Sequence, residues 1–318
     1  MAELYYSFGQ EKVIAMLYPH YQSDLAFCKS IQKKYGKSFY AGTLFLLSEE
    51  RDATFILYAF FRFPDEYVDT HHKDHKDLAL SKINVWNNAW QKCYVGKHFD
   101  IEDDEAKILR AANHVFHTYD IPFEYSQAFL KAMIQDANKD RYATYRELEE
   151  YMYGSASVVG LMMTHILCAR DIRFNSDPEY KKLVLQKAQA LGEAFQMTNF
   201  LRDIGEDYAE RGRIYIPQED LARFDVSEQE IAQKIVTPQF IELLAFEIER
   251  TDALYKEGDS GIRLLPRKAA RGVYIARVLY AKILDKIKHA NYDSLSKRRK
   301  LSVLEKNLTA LIAFATFK

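Results

Sequence analysis

Gln196-Met197-Thr198-Asn199-Phe200-Leu201-Arg202-Asp203-Ile204-Gly205-Glu206-Asp207 decides how this chain is read. Gln196, Asn199, Asp203 and Asp207 follow one another at intervals of 3, 4 and 4 residues, which sets them on one stripe of an α-helix. Residues at i and i+4 lie about 40° apart around the axis, one turn above each other. Two carboxylates stacked in this way repel unless a cation sits between them. Leu191, Phe195, Thr198 and Phe200 flank the stripe, so it faces the interior, where carboxylates without partners are costly. Mg2+ is the natural partner, because it takes one or two carboxylates and fills its shell with water and substrate phosphates. A salt-bridged, solvated helix face has the same spacing, and the stripe alone leaves both readings open.

A second acidic pair, Asp65 and Asp69, has the same i, i+4 spacing in Arg62-Phe63-Pro64-Asp65-Glu66-Tyr67-Val68-Asp69. Such pairs are common on solvated helices. Here the apolar run Phe55–Phe63, interrupted by Arg62, leads straight into it. An arginine beside carboxylates can hold a diphosphate while they hold metal ions. Pro64 has two readings. Inside a continuous helix it deprives the Phe60 carbonyl of its partner; alternatively it opens a new helical turn, with Asp65 at the favourable end of the dipole. Two such pairs suggest facing helices that share cations and a polyanionic ligand.

Around these motifs the chain reads as all-α. Only 12 Gly and 7 Pro punctuate 318 residues, and apolar residues recur at three-to-four spacing. About ten helices are expected. One starts after Ser48 as N-cap. Another runs from Tyr145 to Cys168 through Gly154-Ser155-Ala156-Ser157, where small residues allow a close approach or a kink. A long one begins at Asp177-Pro178 and stops by Gly212. Others cover Pro238–Tyr255, Lys268–His289 and Leu304–Phe317. The absence of a linker predicts a single domain over residues 1–318. At 48% hydrophobic and 28% charged, the chain can fill a large core.

A net charge of −1 points neither to a nucleic-acid partner nor to an anionic membrane surface, and Lys and Arg read as spread along the chain with one local run, Lys297–Lys300. Cys28, Cys93 and Cys168 form no CxxC pair and suggest a reduced, cytoplasmic setting. No signal peptide and no apolar run near the roughly 20 residues of a membrane span is visible. The tail Leu308–Phe317 reads as a packed last helix. Lys297–Lys300 reads as a solvated face, or as a charge run near a membrane. His71, His72 and His75, interleaved with lysines, read as a solvated loop rather than a zinc site. Trp86 and Trp90 read as core, and the cysteines as inert.

The chain resembles the squalene/phytoene synthase family of head-to-head prenyltransferases, and within it the bacterial phytoene synthases. The resemblance runs from about Lys37 to Lys306, with a core over about residues 22–307. Four blocks carry it. The first is Ser38-Phe39-Tyr40 with Leu57–Arg62 and Asp65–Asp69. The second is Tyr151–Gly154 with Val159–Met162. The third is Leu191–Asp207 followed by Gly212-Arg213-Ile214-Tyr215-Ile216-Pro217. The fourth is Gly261–Pro266 through Tyr280 to Tyr292-Asp293.

The resemblance implies the type I isoprenoid synthase fold, with helices around a central cavity. It implies that Asp65, Asp69, Asn199, Asp203 and Asp207 bind Mg2+, or Mn2+ in its place, and through it the diphosphates. Arg62 would contact diphosphate, and Arg213 likewise. Tyr40, Tyr151 and Tyr280 would line the cavity, with Gln196 as a polar residue there; the catalytic group would be Asp65, Asp69, Asp203, Asp207, Tyr151 and Tyr280. Pro64 and Ser157 depart from the family pattern without removing a carboxylate.

The implied reaction joins two geranylgeranyl diphosphates to phytoene through a cyclopropylcarbinyl diphosphate. The alternatives are a squalene or dehydrosqualene synthase using farnesyl diphosphate, and a non-catalytic scaffold. NADPH would be needed only for squalene, and no Gly-rich dinucleotide fingerprint is present. The expected partners are prenyl diphosphates and a membrane surface met peripherally, because the product is insoluble in water. The sequence leaves the oligomeric state open.

Overall fold

Helix follows helix in the computed structural model, which describes residues 20–36, 40, 42–44, 46–71 and 76–317; no strand occurs among them. Their contacts gather into two compact units, residues 1–70 with 77–122 and residues 71–76 with 123–318.

The first unit holds α1 (Tyr21–Tyr35), α2 (Ser48–His71), α3 (Lys76–Tyr94) and α4 (Asp103–Thr118). Helix α2 includes Ser48 itself, and the Leu47 N–H donates to Glu50 Oε2 at 3.1 Å. It then runs unbroken through Pro64. Buried Phe60 and Val68 on either side hold the helix together across the proline. Asp65 therefore sits in mid-helix, away from any dipole end. The Phe60 ring meets Trp86, Trp90 and Phe116 at centroid distances of 5.8, 5.0 and 6.0 Å. Both tryptophans are fully buried, as predicted. Asp24 of α1, also buried, takes the Arg110 guanidinium of α4 at 3.0 and 3.1 Å. His72 and His75 lie outside the described residues.

The second unit begins with α5 (Phe123–Asn138) and α6 (Tyr145–Met152). Thr144 caps α6, its hydroxyl accepting the Glu147 N–H at 3.2 Å. The helix does not stop at the small-residue run. It widens into one π-helical turn over Tyr153–Ser157 and continues as α7 (Val158–Leu167). Such widened turns recur at functional sites. Buried Ser157 donates to Glu193 Oε1 at 3.1 Å, a bond that glycine could not make.

After the short α8 (Ile172–Ser176) comes α9 (Pro178–Arg211). Asp177 caps it by accepting the Tyr180 N–H at 3.0 Å. Gly212 ends it at φ 68°, a left-handed conformation that glycine adopts without strain. Both ends fall where the sequence places them. Then follow α10 (Gln218–Arg223), α11 (Glu228–Ala232), α12 (Pro238–Ile262), α13 (Arg267–His289) and α14 (Val303–Thr316).

Helix α9 is the axis of this unit. Its Leu191, Ala194, Leu201 and Ile204 share one core with Leu243, Leu244, Ile248 and Tyr255 of α12 and with Ile283, Leu284 and Ile287 of α13. The last helix departs from expectation. Only Thr309 and Ala313 of α14 are buried, while Leu304, Leu308, Leu311 and Ile312 are exposed. The tail is not a packed core helix, because its apolar residues cover far more of the helix than the single face resting on α13.

Cys28, Cys93 and Cys168 are buried and form no disulfide. Burial raises the thiols of Cys28 and Cys93, holding them in the unreactive protonated form. No helix among the described residues is long and apolar enough to cross a membrane.

Candidate active site

Helix α9 presents the predicted stripe inside the second unit. Asn199 Nδ2 donates to Gln196 Oε1 at 3.3 Å, one turn before Asp203. The Asp203 and Asp207 side chains are only 14% and 15% exposed. Each carboxylate meets arginine. Asp203 takes Arg202 Nε at 2.7 Å and Arg298 Nε at 2.9 Å; Asp207 takes Arg211 Nη1 at 3.4 Å. Even so, the Asp207 carboxyl is pushed up to about 7, by burial first and the Asp203 charge second, against the pull of Arg211 and Arg213.

Arg298 reaches the stripe because the chain after α13 folds back onto α9. The Gly205 N–H donates to the Ser294 carbonyl at 3.2 Å. A Cβ at Gly205 would stand 2.0 Å from the Leu295 oxygen, so only glycine admits the loop. Arg298 then spans Asp203 and Glu206, with Nη1 3.1 Å from Glu206 Oε1. Its neighbour Arg299 is held by Asp293 at 2.9 Å. Lys297–Lys300 is therefore not one solvated face, since two of its four residues tie the loop down.

Tyr280 of α13 packs its ring 4.7 Å from Phe195. Burial raises its phenol, with Arg202 and Asp203 as charged neighbours, so it belongs to the same end of α9. Tyr151 lies a short way around the helix in an aromatic stack. Its ring is 5.3 Å from Tyr142, 5.8 Å from Tyr215 and 6.3 Å from Phe200, and Phe200 stacks on Tyr215 at 4.0 Å. Burial drives the Tyr151 and Tyr215 phenols well up, leaving both hydroxyls neutral.

Asp136 at the end of α5 anchors this stack. Arg213 Nη1 lies 2.9 Å from Asp136 Oδ2, Arg213 Nη2 donates to the Asp136 carbonyl at 2.6 Å, and the Tyr215 hydroxyl donates to Asp136 Oδ1 at 3.0 Å. The Arg213 side chain is 3% exposed. Where the resemblance implied a diphosphate contact, the structure gives its guanidinium to Asp136 and its backbone N–H to the Asp207 carbonyl at 3.2 Å. Asp136, Tyr142, Tyr215, Arg202 and Arg298 thus adjoin the candidate residues, and sequence reasoning did not single them out. The Gly212–Pro217 block was the one signal that pointed toward Tyr215.

In the first unit, Arg62 Nη1 donates to Asp65 Oδ2 at 2.6 Å, and its other terminal nitrogen pairs with Glu66. Its guanidinium lies 5.1 Å from the centre of the Tyr35 ring. Asp69 is exposed and adds its charge to that around Arg62. Tyr40 stacks on Phe55 at 5.6 Å.

The donor chemistry of the α9 stripe fits a divalent cation. Two nearly buried carboxylates and an amide share one line, and burial first, with the Asp203 charge second, makes the Asp207 carboxyl resist ionising. Among the described residues no three His, Cys, Asp or Glu side chains converge on one point. Mg2+ needs only one or two carboxylates from protein when phosphate oxygens supply the rest. A groove of about 450 Å³ lined by Tyr125, Tyr153, Leu161, Lys181 and Leu185 contains none of these residues and takes no part in the site.

The profile of the squalene/phytoene synthases matches residues 32–305. The chain belongs to the squalene/phytoene synthase family. It is a prenyltransferase of that family. A 15-cis-phytoene synthase of Synechococcus elongatus is 32% identical over 274 residues, spanning 85% of this chain and 86% of that protein. Phytoene synthase 1 of Zea mays is 30% identical over 288 residues, 90% of this chain and 67% of the other.

Among solved structures, a dehydrosqualene synthase with bound ligand superposes with a TM-score of 0.80 at 27% identity, covering 94% of this chain and 98% of its own. A squalene synthase of Alicyclobacillus acidocaldarius gives 0.74 at 25%, covering 86% and 96%. The all-α isoprenoid synthase fold expected from the sequence is thus the fold observed.

Proposed function

We propose that this prenyltransferase joins two geranylgeranyl diphosphates head to head to give phytoene, with both units acting as one functional domain. The observation that carries the reading is the α9 stripe, Asn199, Asp203 and Asp207, set beside the neutral aromatic stack of Tyr142, Tyr151, Tyr215 and Phe200. The 30–32% identity to phytoene synthases supports the C40 substrate.

In this reading Asp65 and Asp69 would hold Mg2+ in the first unit, Asn199, Asp203 and Asp207 would hold it in the second, and the metal would carry the diphosphates. Bound Mg2+ neutralises the charge that develops on departing diphosphate. Arg62 in the first unit and Arg298 in the second each bring a cationic donor that suits phosphate oxygens. Allylic ionisation leaves a carbocation that water would quench, so its surroundings must be dry. Tyr151, Phe200 and Tyr280 offer ring faces that favour positive charge without adding to it. Burial keeps the Tyr151 hydroxyl protonated, so it cannot act as a phenolate nucleophile.

In the first half-reaction, C1 of one prenyl unit bonds to the C2–C3 double bond of the other. Diphosphate and a proton leave, giving a cyclopropylcarbinyl diphosphate. In the second, that intermediate loses its own diphosphate, rearranges and gives up a proton to yield the C40 hydrocarbon. No reductant enters. The enzyme works in the cytoplasm and meets a membrane peripherally, where substrate and product partition.

The structural likeness to a dehydrosqualene synthase favours one second reading, C30 synthesis from farnesyl diphosphate. One tube containing both prenyl diphosphates at equal concentration with Mg2+ tests the choice. C40 hydrocarbon in excess supports phytoene synthesis. Only C30 product moves the enzyme to the other branch, with NADPH dependence marking squalene, and no hydrocarbon from either substrate points to a scaffold.

A further inference from the structure

Helix α14 shows its apolar side outward. Val303 is 75% exposed, Leu304 77%, Leu308 55%, Leu311 65%, Ile312 54% and Phe314 49%. At 3.6 residues per turn these six side chains cover one half of the helix, broken only by Asn307. The one acid of the helix, Glu305, is already held by Lys286, with Nζ 2.8 Å from each carboxylate oxygen.

The surround is cationic. Residues 267–318 contain 13 Lys and Arg against Asp285, Asp293 and Glu305, a net charge of +10. The whole chain carries −1, which leaves −11 for residues 1–266. A reading of basic residues as spread along the chain misses this polarity, because the two parts nearly cancel. Part of this charge is answered by carboxylates: Arg277 pairs with Asp259, Lys286 with Glu305, Lys288 with Asp252, Arg298 with Asp203 and Glu206, and Arg299 with Asp293; the basic excess that counts is the part beside α14. That part borders the apolar strip directly. The Arg271 guanidinium lies 4.4 Å from the Phe314 ring centre, and Lys297, Lys300 and Lys306 are exposed near the other end of α14.

We propose that the outer face of α14 and its basic surround dock the protein onto an anionic lipid surface. An apolar face rimmed with Lys and Arg is the pattern of a helix that lies in the headgroup region, its side chains in the acyl boundary and its cations on the lipid charge. Charge complementarity selects this occupant. A second copy of the chain on the same face would set one rim of Arg271, Lys297, Lys300 and Lys306 against another, whereas an anionic bilayer matches both the strip and its rim.

The inference rests on the proposed reaction for its purpose and on α14 for its geometry. The loop that carries Lys297 and Lys300 also carries Arg298 to Asp203, so docking brings the lipid surface beside the diphosphate site, where a water-insoluble product can leave.

The test is co-sedimentation of the full chain with vesicles of phosphatidylcholine alone or with phosphatidylglycerol added, at low and high salt. It compares wild type with Leu308→Ser/Leu311→Ser/Ile312→Ser, whose sites are more than half exposed and leave the core intact. A separate variant, Leu311→Trp, reports insertion by a blue shift against the fully buried Trp86 and Trp90. The expected result is binding to the anionic vesicles that weakens with salt, falls at least about tenfold in the triple variant, and shifts the reporter. Absence of vesicle binding, or binding that the triple variant retains, would overturn the proposal. So would a concentration-dependent dimer that the same substitutions disperse without any vesicle binding. Hydrocarbon formation in detergent micelles is measured alongside, so loss of docking and loss of the proposed reaction are read separately.

Discussion

The Arg298 guanidinium closes on the Asp203 carboxylate, Nε 2.9 Å from Oδ1 and Nη2 3.1 Å from Oδ2, although 95 residues separate them. A loop cation thus shares the carboxylate assigned to Mg2+, beside Arg202 from the same helix turn. A metal ion has to compete with Arg298 for that oxygen pair.

Arg298→Ala removes the competitor. Without prenyl diphosphate, Mn2+ should bind the variant about two- to fivefold more tightly, the range set by one partly exposed ion pair. With prenyl diphosphate KM should rise, because the same guanidinium is then missing from the phosphates. A titration following the Mn2+ electron paramagnetic resonance signal checks the first part; unchanged or weaker Mn2+ binding refutes it.

Gly205→Ala tests how Arg298 is delivered. Its new methyl would overlap the Leu295 carbonyl, so the loop must shift and Arg298 with it. Overpacking of this kind costs about 1–3 kcal/mol. The variant should lose more turnover than Arg298→Ala and unfold at a lower temperature. A crystal structure of the variant with the Gly205–Ser294 backbone hydrogen bond intact would rule this out.

Asp136→Ala strips the carboxylate partner from buried Arg213 and frees the Tyr215 hydroxyl. Breaking one side of a buried ion pair costs about 3–5 kcal/mol. Urea unfolding should show a loss of that order, larger than for Arg62→Ala, whose partners are 45% and 43% exposed. Equal losses in the two variants would mean that the Asp136–Arg213 pair does not hold the aromatic stack in place.

Glu247 provides a pH signature away from the site. It is fully buried, and with Asp220 it shares one Arg250 nitrogen, at 2.9 and 3.0 Å from Glu247 and 2.8 Å from Asp220. Burial first, opposed by Arg250 and aided by Asp220, raises its carboxyl from 4.5 to about 8. The folded state therefore keeps a proton that the unfolded chain releases above 4.5. The stability that this proton contributes is complete below 4.5 and is lost as pH rises toward 8. Tm of the wild type should fall between pH 5 and pH 8 by more than Tm of Glu247→Gln, which carries no titrating group there. Parallel curves for the two proteins would contradict the assignment.

Much of this was legible in the sequence, for local reasons. The limits of α9 were written in Asp177-Pro178 and Gly212, a cap and a left-handed stop. The stripe Gln196, Asn199, Asp203 and Asp207 was written in helical spacing. Burial of Trp86 and Trp90 followed from their interval of four.

What escaped was set by chain reversal. Nothing in Lys297–Lys300 says that Gly205 lets a distant loop touch α9, so Arg298 read as solvated charge. Asp136 carries no motif, and only the folded chain brings it to Arg213 and Tyr215. The small-residue run promised a kink or close approach but not the added width of a π turn. The apolar tail read as core because periodicity reports a helix without saying what covers it.

The most direct test of the central claim is single-turnover hydrocarbon analysis with geranylgeranyl diphosphate and Mg2+, without NADPH, for wild type and Asp203→Asn. The expected result is a C40 hydrocarbon from the wild type, and a loss on the order of 10²-fold or more in the variant with its circular dichroism unchanged, since Asn keeps the shape and removes the metal-binding charge. An Asp203→Asn enzyme that forms product at nearly the wild-type rate would contradict the role assigned to the α9 stripe, and with it the proposed chemistry of the site.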